Sequence, residues 1–114
     1  TPRLLICPSD SRVAATDFGR LANGNVSYFI GLNAQEQLPE SFLTGDRNLT
    51  VNEKAIAGKT IVISTNDTLG WTRAMHQFRG NIALSDGSVQ QFDRKRLGDF
   101  RARASQGEQK LAFP

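Results

Sequence analysis

One cysteine, one histidine and eleven carboxylates are the groups in this 114-residue chain that could do chemistry beyond packing. Nucleophilic catalysis would need His76, the only histidine, oriented by a carboxylate and set beside a Ser or Cys. No Gly-x-Ser-x-Gly elbow occurs, and nothing in the spacing brings Cys7 to His76. No catalytic residue is expected, and the chain reads as non-enzymatic. A metal is not expected either, because one His and one Cys fall short of the usual zinc ligands and neither CxxC nor HExxH occurs. Calcium through Asp46, Asp67 or Asp86 stays open, without EF-hand spacing. Cys7 reads as a small core residue at a strand end rather than a reactive thiol. No cofactor is implied.

Asp86 tempts a pairing with His76, since nine residues separate them. A strand over 81–85 would carry the turn about 17 Å from its start, at about 3.4 Å per residue. A dyad then requires the chain to reverse at Arg79-Gly80. The expectation is that Asp86 shapes a turn and His76 packs or hydrogen-bonds elsewhere. A small hydrolase or ligand-binding domain would need a deep pocket converging on His76 beside a perturbed carboxylate.

Arg94, Lys95, Arg96, Arg101 and Arg103 form the third chemical candidate, an anion or DNA contact. The net charge of +3 permits polyanion binding without demanding it, because the charges are spread along the chain. No aromatics interleave these cations, so a base-stacking platform is unsupported. A solvated helix face is the simpler reading. The sequons at Asn25, Asn48 and Asn66 would matter only in a eukaryotic secreted protein.

These residues must be positioned by a turn-rich α+β domain. A chain of 114 residues is one domain, 1–114, able to bury a core that its seven Phe help to fill. Strands are expected at 3–7, 25–31, 41–44 and 60–64, with Val26, Tyr28 and Ile30 on one face of a central, doubly covered strand. Gly45-Asp-Arg-Asn48 reads as a turn, and 50–58 as a short strand or irregular excursion. Asp17 is expected to cap a helical turn over 18–22 that ends at Asn23-Gly24. Ile82–Ser85 and Ser88–Phe92 flank Asp86-Gly87, the preferred chemistry of a two-residue type I′ hairpin. Asp93 then caps a helix to about Ser105, with Leu97, Phe100 and Ala104 as its apolar stripe. Gln106-Gly107 ends it, and residues 110–114 form an extended tail. The fold class is therefore an antiparallel β-sheet with a C-terminal hairpin and a short amphipathic helix. No run of apolar residues reaches the length that spans a bilayer.

Cys7-Pro-Ser-Asp10, Asn25-Val-Ser-Tyr-Phe29, Gly45-Asp-Arg-Asn48, Trp71, and His76 followed by Asp86-Gly87 occur in this order. That succession resembles the bacterial prepilin-like proteins with a His-x9-Asp-Gly motif, relatives of type II secretion pseudopilins. The likeness runs from about Leu4 to Phe92 and is closest over Gly80–Val89. It marks His76, Asp86, Gly87, Cys7, Asp10 and Trp71 as family-motif, structural positions, and no catalytic role carries over with it.

The resemblance implies a pilin-like globular head whose N-terminal stem helix, with its basic leader, lies outside this sequence. The abrupt entry from Thr1 into Leu4-Leu-Ile-Cys7 agrees with an upstream element. It further implies a structural, assembly role in a type II secretion or type IV pilus-like system. The expected place is the cell envelope, on the periplasmic face of the inner membrane or outside the cell. Expected partners are other pseudopilin or pilin subunits and the inner membrane, reached through the stem helix. A stem helix needs a sheet face to lie on, so an apolar patch is expected on the strands at 26–30, 61–63 and 82–84. Left uncovered, that patch could pair two copies of the domain. The alternative is a DNA- or polyanion-binding minor-pilin-like module working through the Arg-rich helix. A salt titration separates the two.

Overall fold

The computed structural model describes residues 1–104 and 107–114. The strands are β1 (Tyr28–Gly31), β2 (Phe42–Asp46), β3 (Leu49–Val51), β4 (Lys54–Ala55), β5 (Thr60–Ile63), β6 (Leu69–Trp71), β7 (Arg79–Leu84), β8 (Val89–Asp93) and β9 (Gln109–Ala112). Among the described residues one α-helix, α1 (Arg94–Arg103), lies between β8 and β9. The chain is thus α+β, with a six-stranded sheet ordered β5-β9-β1-β2-β7-β8 and a three-stranded sheet ordered β4-β3-β6. Every strand pairing is antiparallel.

Alternation along each strand decides which face is buried. In β7, Gly80, Ile82 and Leu84 point inward while Arg79, Asn81 and Ala83 point out. Phe29, Phe42, Ile63, Ile82, Leu84, Phe92 and Leu111 form the inner face of the large sheet. Leu97 of α1 and Leu49, Leu69 and Trp71 of the small sheet close over it. Each fully buried Phe or Leu contributes roughly 2 kcal/mol by leaving water.

The outer face is different. Cross-strand partners share a face, and the register sets Thr60, Ala112, Ile30, Thr44, Ala83 and Val89 side by side across all six strands. Every member of that row is small or β-branched. Ile30 is 49% exposed and Val89 68%. Val62 on β5 and Leu43, turned outward at the β2 irregularity, are also exposed. Of the strands expected to carry an apolar patch, Ile61, Ile63, Ile82 and Leu84 face the core instead, and only Ile30, Val62 and Ala83 lie on the outer face, among Thr and Ala.

Several local expectations change. Residues 3–7 do not form a strand: Pro2–Leu5 is a 3-10 turn, started by Pro2 and by the Thr1 hydroxyl accepting from the Arg3 N–H. Asp17 does cap a 3-10 turn, Phe18–Arg20, but Asn23–Asn25 begins another turn instead of ending a helix. β1 is central in the sheet, and its outer face is covered only in part: Phe29 faces the second layer, Tyr28 on the other side is half-buried, and Ile30 is exposed. Gly45 and Asp46 belong to β2, and the turn falls at Arg47-Asn48.

The hairpin at Asp86-Gly87 is not type I′. Gly87 alone is left-handed (φ 89°), and the Gly87 N–H donates to the Leu84 carbonyl, giving a three-residue loop. Asp86 Oδ1 accepts from the Ser88 N–H and hydroxyl, which holds Asp86 out of the left-handed region. Two consecutive left-handed residues occur instead at Asn52 and Glu53, between β3 and β4. Asp93 caps α1 as expected, accepting from the Arg96 N–H at 2.7 Å. Leu97 is buried, with Phe100 packed beside it against the core. The expected end of the helix at Ser105 and Gln106 lies outside the described residues. Residues 109–112 are not a tail: they form an inner strand between β5 and β1, carrying the fully buried Leu111.

Candidate functional site

The chemistry of the chain gathers where the N-terminal segment, the end of β2 and the loop before β7 meet. That loop, 72–78, is wound tightly: Met75, Gln77 and Phe78 all have positive φ. Side chains other than Gly rarely hold this conformation unless their surroundings impose it. Asn48 imposes it here. The two hydrogens of its Nδ2 are shared among the carbonyls of Thr72, Ala74 and Arg79, while its backbone carbonyl accepts from the Thr72 N–H. The wound loop aims the His76 ring back across the sheet edge.

His76 Nε2 stands 3.5 Å from Cys7 Sγ and 3.3 Å from Asp46 Oδ2. Cys7 and Asp46 are buried, whereas His76 keeps 21% of its side chain exposed. Asp46 Oδ2 also accepts from the Asn81 backbone N–H at 2.7 Å and from Asn81 Nδ2 at 3.2 Å. Burial pushes the Asp46 carboxyl up; the Asn81 hydrogen bonds and His76 oppose the rise without cancelling it. Tyr28 sits opposite Asp46 in the β1–β2 register, and burial together with the negative charges around it pushes its phenol up. A shallow polar depression lined by Met75, His76, Gln77, Arg79 and Gln91 opens beside the ring.

A second polar group adjoins the first. Arg47 Nε donates to Asp10 Oδ2 at 2.7 Å, and its Nη2 reaches Asp10 Oδ1. The Ser27 hydroxyl donates to Asp10 at 2.8 Å and accepts from the Cys7 N–H. The backbone joins in: the Ser27 N–H donates to Leu5 and the Arg47 N–H to Ser27. Burial alone would raise Asp10, but the bonds from Arg47, Ser27 and Arg12 outweigh it and hold the carboxyl at about 2.

The structure therefore brings Cys7, Asp10 and His76 of the sequence candidates together and leaves Asp86 apart. Arg79 pairs with Asp93 at one end of the β7–β8 hairpin, and Asp86 turns the chain at the other. The chain does not fold back at Arg79-Gly80, so no His76–Asp86 dyad forms. Trp71 is buried in the core with its ring against Gly80, and its Nε1 has no partner. Sequence reasoning missed Ser27, Asn48 and Asn81, and it weighed Asp46 only as a calcium ligand. Ser27, Asp46, Arg47 and Asn48 nevertheless stand in two of the motif segments, Asn25–Phe29 and Gly45–Asn48, which was the available signal.

The basic residues divide by role. Arg101 is partly buried and donates to the carbonyls of Ser64 at 2.7 Å and Asp67 at 2.8 Å, so it ties α1 to the loop after β5. Arg94 faces Glu53 and Lys95 faces Asp99 in exposed pairs. Arg96 and Arg103 are exposed. An open groove of about 730 Å³ runs along α1, away from His76. No family model, no curated protein and no solved structure matches the chain.

Proposed function

We propose that this chain is the extracytoplasmic head domain of a pseudopilin-like protein, an assembly component of a type II secretion or type IV pilus-like system with no chemistry of its own. The observation that carries the reading is the uncovered row Thr60, Ala112, Ile30, Thr44, Ala83 and Val89. Small and β-branched side chains in a straight row make a shallow, smooth bed, and a helix lying across it would remove Ile30 and Val89 from water. The inner face of the same sheet is already filled, so the outer face is the one left to receive a stem. The motif residues support the reading in a second way. Cys7, Asp10, Ser27, Asp46, Arg47, Asn48 and His76 interlock into one corner that holds irregular segments in place.

In this reading the head stands at the cell envelope, anchored through an upstream helix and contacting other pilin-like subunits. The isolated domain can pair with a second copy through the uncovered row. Photocrosslinking from Ile30 and Val89 in the bacterium that makes the protein tests it. Crosslinks to an apolar helix, of this chain or of another pilin-like subunit, in the membrane fraction are the expected result. Ile30→Lys and Val89→Lys should abolish those contacts while leaving the melting temperature of the domain unchanged. Crosslinks confined to cytoplasmic proteins or to nucleic acid would overturn the proposal.

A further inference from the structure

We propose that Cys7 Sγ, His76 Nε2 and the Asp46 carboxylate form a divalent metal site, suited to zinc, with a fourth position left to water. Zinc binds sulfur at about 2.3 Å and nitrogen or oxygen at about 2.0–2.2 Å, so tetrahedral ligands stand roughly 3.6 Å (S to N) and 3.4 Å (N to O) apart. The observed separations are 3.5 Å and 3.3 Å, and the three donor atoms lie within 4.8 Å of one another.

Hydrogen bonding accounts for this arrangement less well. A single Nε2 faces both the Cys7 thiol and the Asp46 carboxylate, and in either tautomer it serves one of them only, as donor to Asp46 or as acceptor from Cys7. The 3.3 Å approach to Asp46 is already beyond the usual span of about 2.7–3.2 Å for such a bond. The electrostatics also leave room for a cation. Asp46 is a buried carboxylate, and Arg47, its neighbour in the chain, is spent on Asp10. Each ligand is held from behind: Cys7 through the Ser27 hydroxyl, Asp46 by Asn81, and His76 by the loop that Asn48 pins. Such supporting contacts are what orient ligands in metal sites. Sulfur and imidazole select zinc over calcium or magnesium.

The proton balance is simple. The Cys7 thiol releases its proton to solvent as the metal–sulfur bond forms. His76 binds as the neutral imidazole with its proton on Nδ1, Asp46 binds as the carboxylate, and no electrons move. The bound ion would clamp the N-terminal segment, β2 and the 72–78 loop to one another. The exposed edge of His76 and the polar depression beside it give water access to the fourth position.

The test is titration of the chelator-stripped domain with Zn²⁺ and, in parallel, Co²⁺. One ion per chain, a higher melting temperature and a thiolate-to-cobalt charge-transfer band are expected. Cys7→Ser should lose that band, and His76→Gln should weaken zinc by more than roughly 100-fold, beyond the 10–100-fold typical of losing an outer partner. No zinc-dependent shift in the natural sequence, or equal binding by Cys7→Ser, overturns the site. Should the variants fail to fold, the natural protein still decides, through alkylation of Cys7 with and without Zn²⁺. Protection by zinc supports the site. A rate indifferent to zinc assigns the cluster to a thiol–imidazole pair instead.

Discussion

Arg47 grips Asp10 with two prongs, Nε to Oδ2 at 2.7 Å and Nη2 to Oδ1, and so fastens the N-terminal segment to the turn between β2 and β3. Asp10 falls from 3.8 to about 2 in the folded chain. At about 1.4 kcal/mol per unit, that shift represents at most roughly 2.5 kcal/mol of stability, less whatever solvent screens. A depressed carboxyl contributes fully above its unfolded value and loses the contribution as pH falls through the folded one. The expected outcome is a steep loss of stability from about pH 4 to pH 2, followed by urea denaturation. Asp10→Asn should be less stable at pH 7 and flatter across that window; an unchanged acid limb would remove Asp10 from its cause.

Asp46 works in the opposite sense. Burial raises its carboxyl, so the fold holds the proton more tightly than the unfolded chain does, and stability from this group is lost as pH rises through the folded value. Asp46→Asn keeps an acceptor for the Asn81 N–H and removes the buried charge. With a chelator present, its stability at pH 7 should lie within about 1 kcal/mol of the natural sequence. The variant's curve above pH 4 should also be flatter than the natural one. A loss of several kcal/mol would mean that the charge itself holds the corner together.

Much of the sheet was legible in the sequence because strand patterning is local. The β-branched run at Thr60–Ile63, the β7–β8 pair and the Asp93 cap are each set by residues within a few positions. The miss at residues 3–7 is also local: Pro2 and Thr1 favour a 3-10 turn over the strand that Leu4-Leu-Ile suggests. The site was not legible for a different reason. Cys7 and His76 stand 69 residues apart in sequence, and Asp46 meets them through the long-range pairings of β2 with β1 and β7. No periodicity encodes a contact of that kind. The strand role of Gln109–Ala112 was hidden likewise, since its partners are β5 and β1, far upstream.

Gly80 packs so closely on Trp71 that a single methyl group would break the fit. A Cβ there would enter the Trp71 ring at Cζ3 and Cε3. Overpacking of this kind costs about 1–3 kcal/mol. Gly80→Ala should therefore lower the melting temperature and alter the tryptophan emission. Adding Trp71→Leu should recover part of the loss, so the double variant is less damaged than the sum of the two. Strict additivity would show that the ring and Gly80 do not meet.

Gly87 offers a cleaner measure of the hairpin loop. Its φ is 89°, and nothing lies within 4 Å of where a Cβ would sit. Gly87→Ala should thus cost about 1 kcal/mol through backbone strain alone. Gly87→Asn should cost less, because Asn tolerates the left-handed region. Equal costs for the two, measured by thermal unfolding, would place the demand elsewhere in the loop.

Arg101 separates a structural cation from a binding one. Its guanidinium spans the carbonyls of Ser64 and Asp67, a two-acceptor arrangement that the single ammonium of Lys does not reproduce. Arg101→Ala leaves two carbonyls short of a partner and should cost about 1–3 kcal/mol, and Arg101→Lys should recover little of it. Any binding of the domain to single- or double-stranded DNA at low salt should be insensitive to Arg101→Lys. Binding carried by the free face of α1 would fall instead in Arg96→Gln and Arg103→Gln, with a shallower dependence on salt. A variant at Arg101 that stays folded and loses DNA binding would reverse this assignment and make the helix an interface.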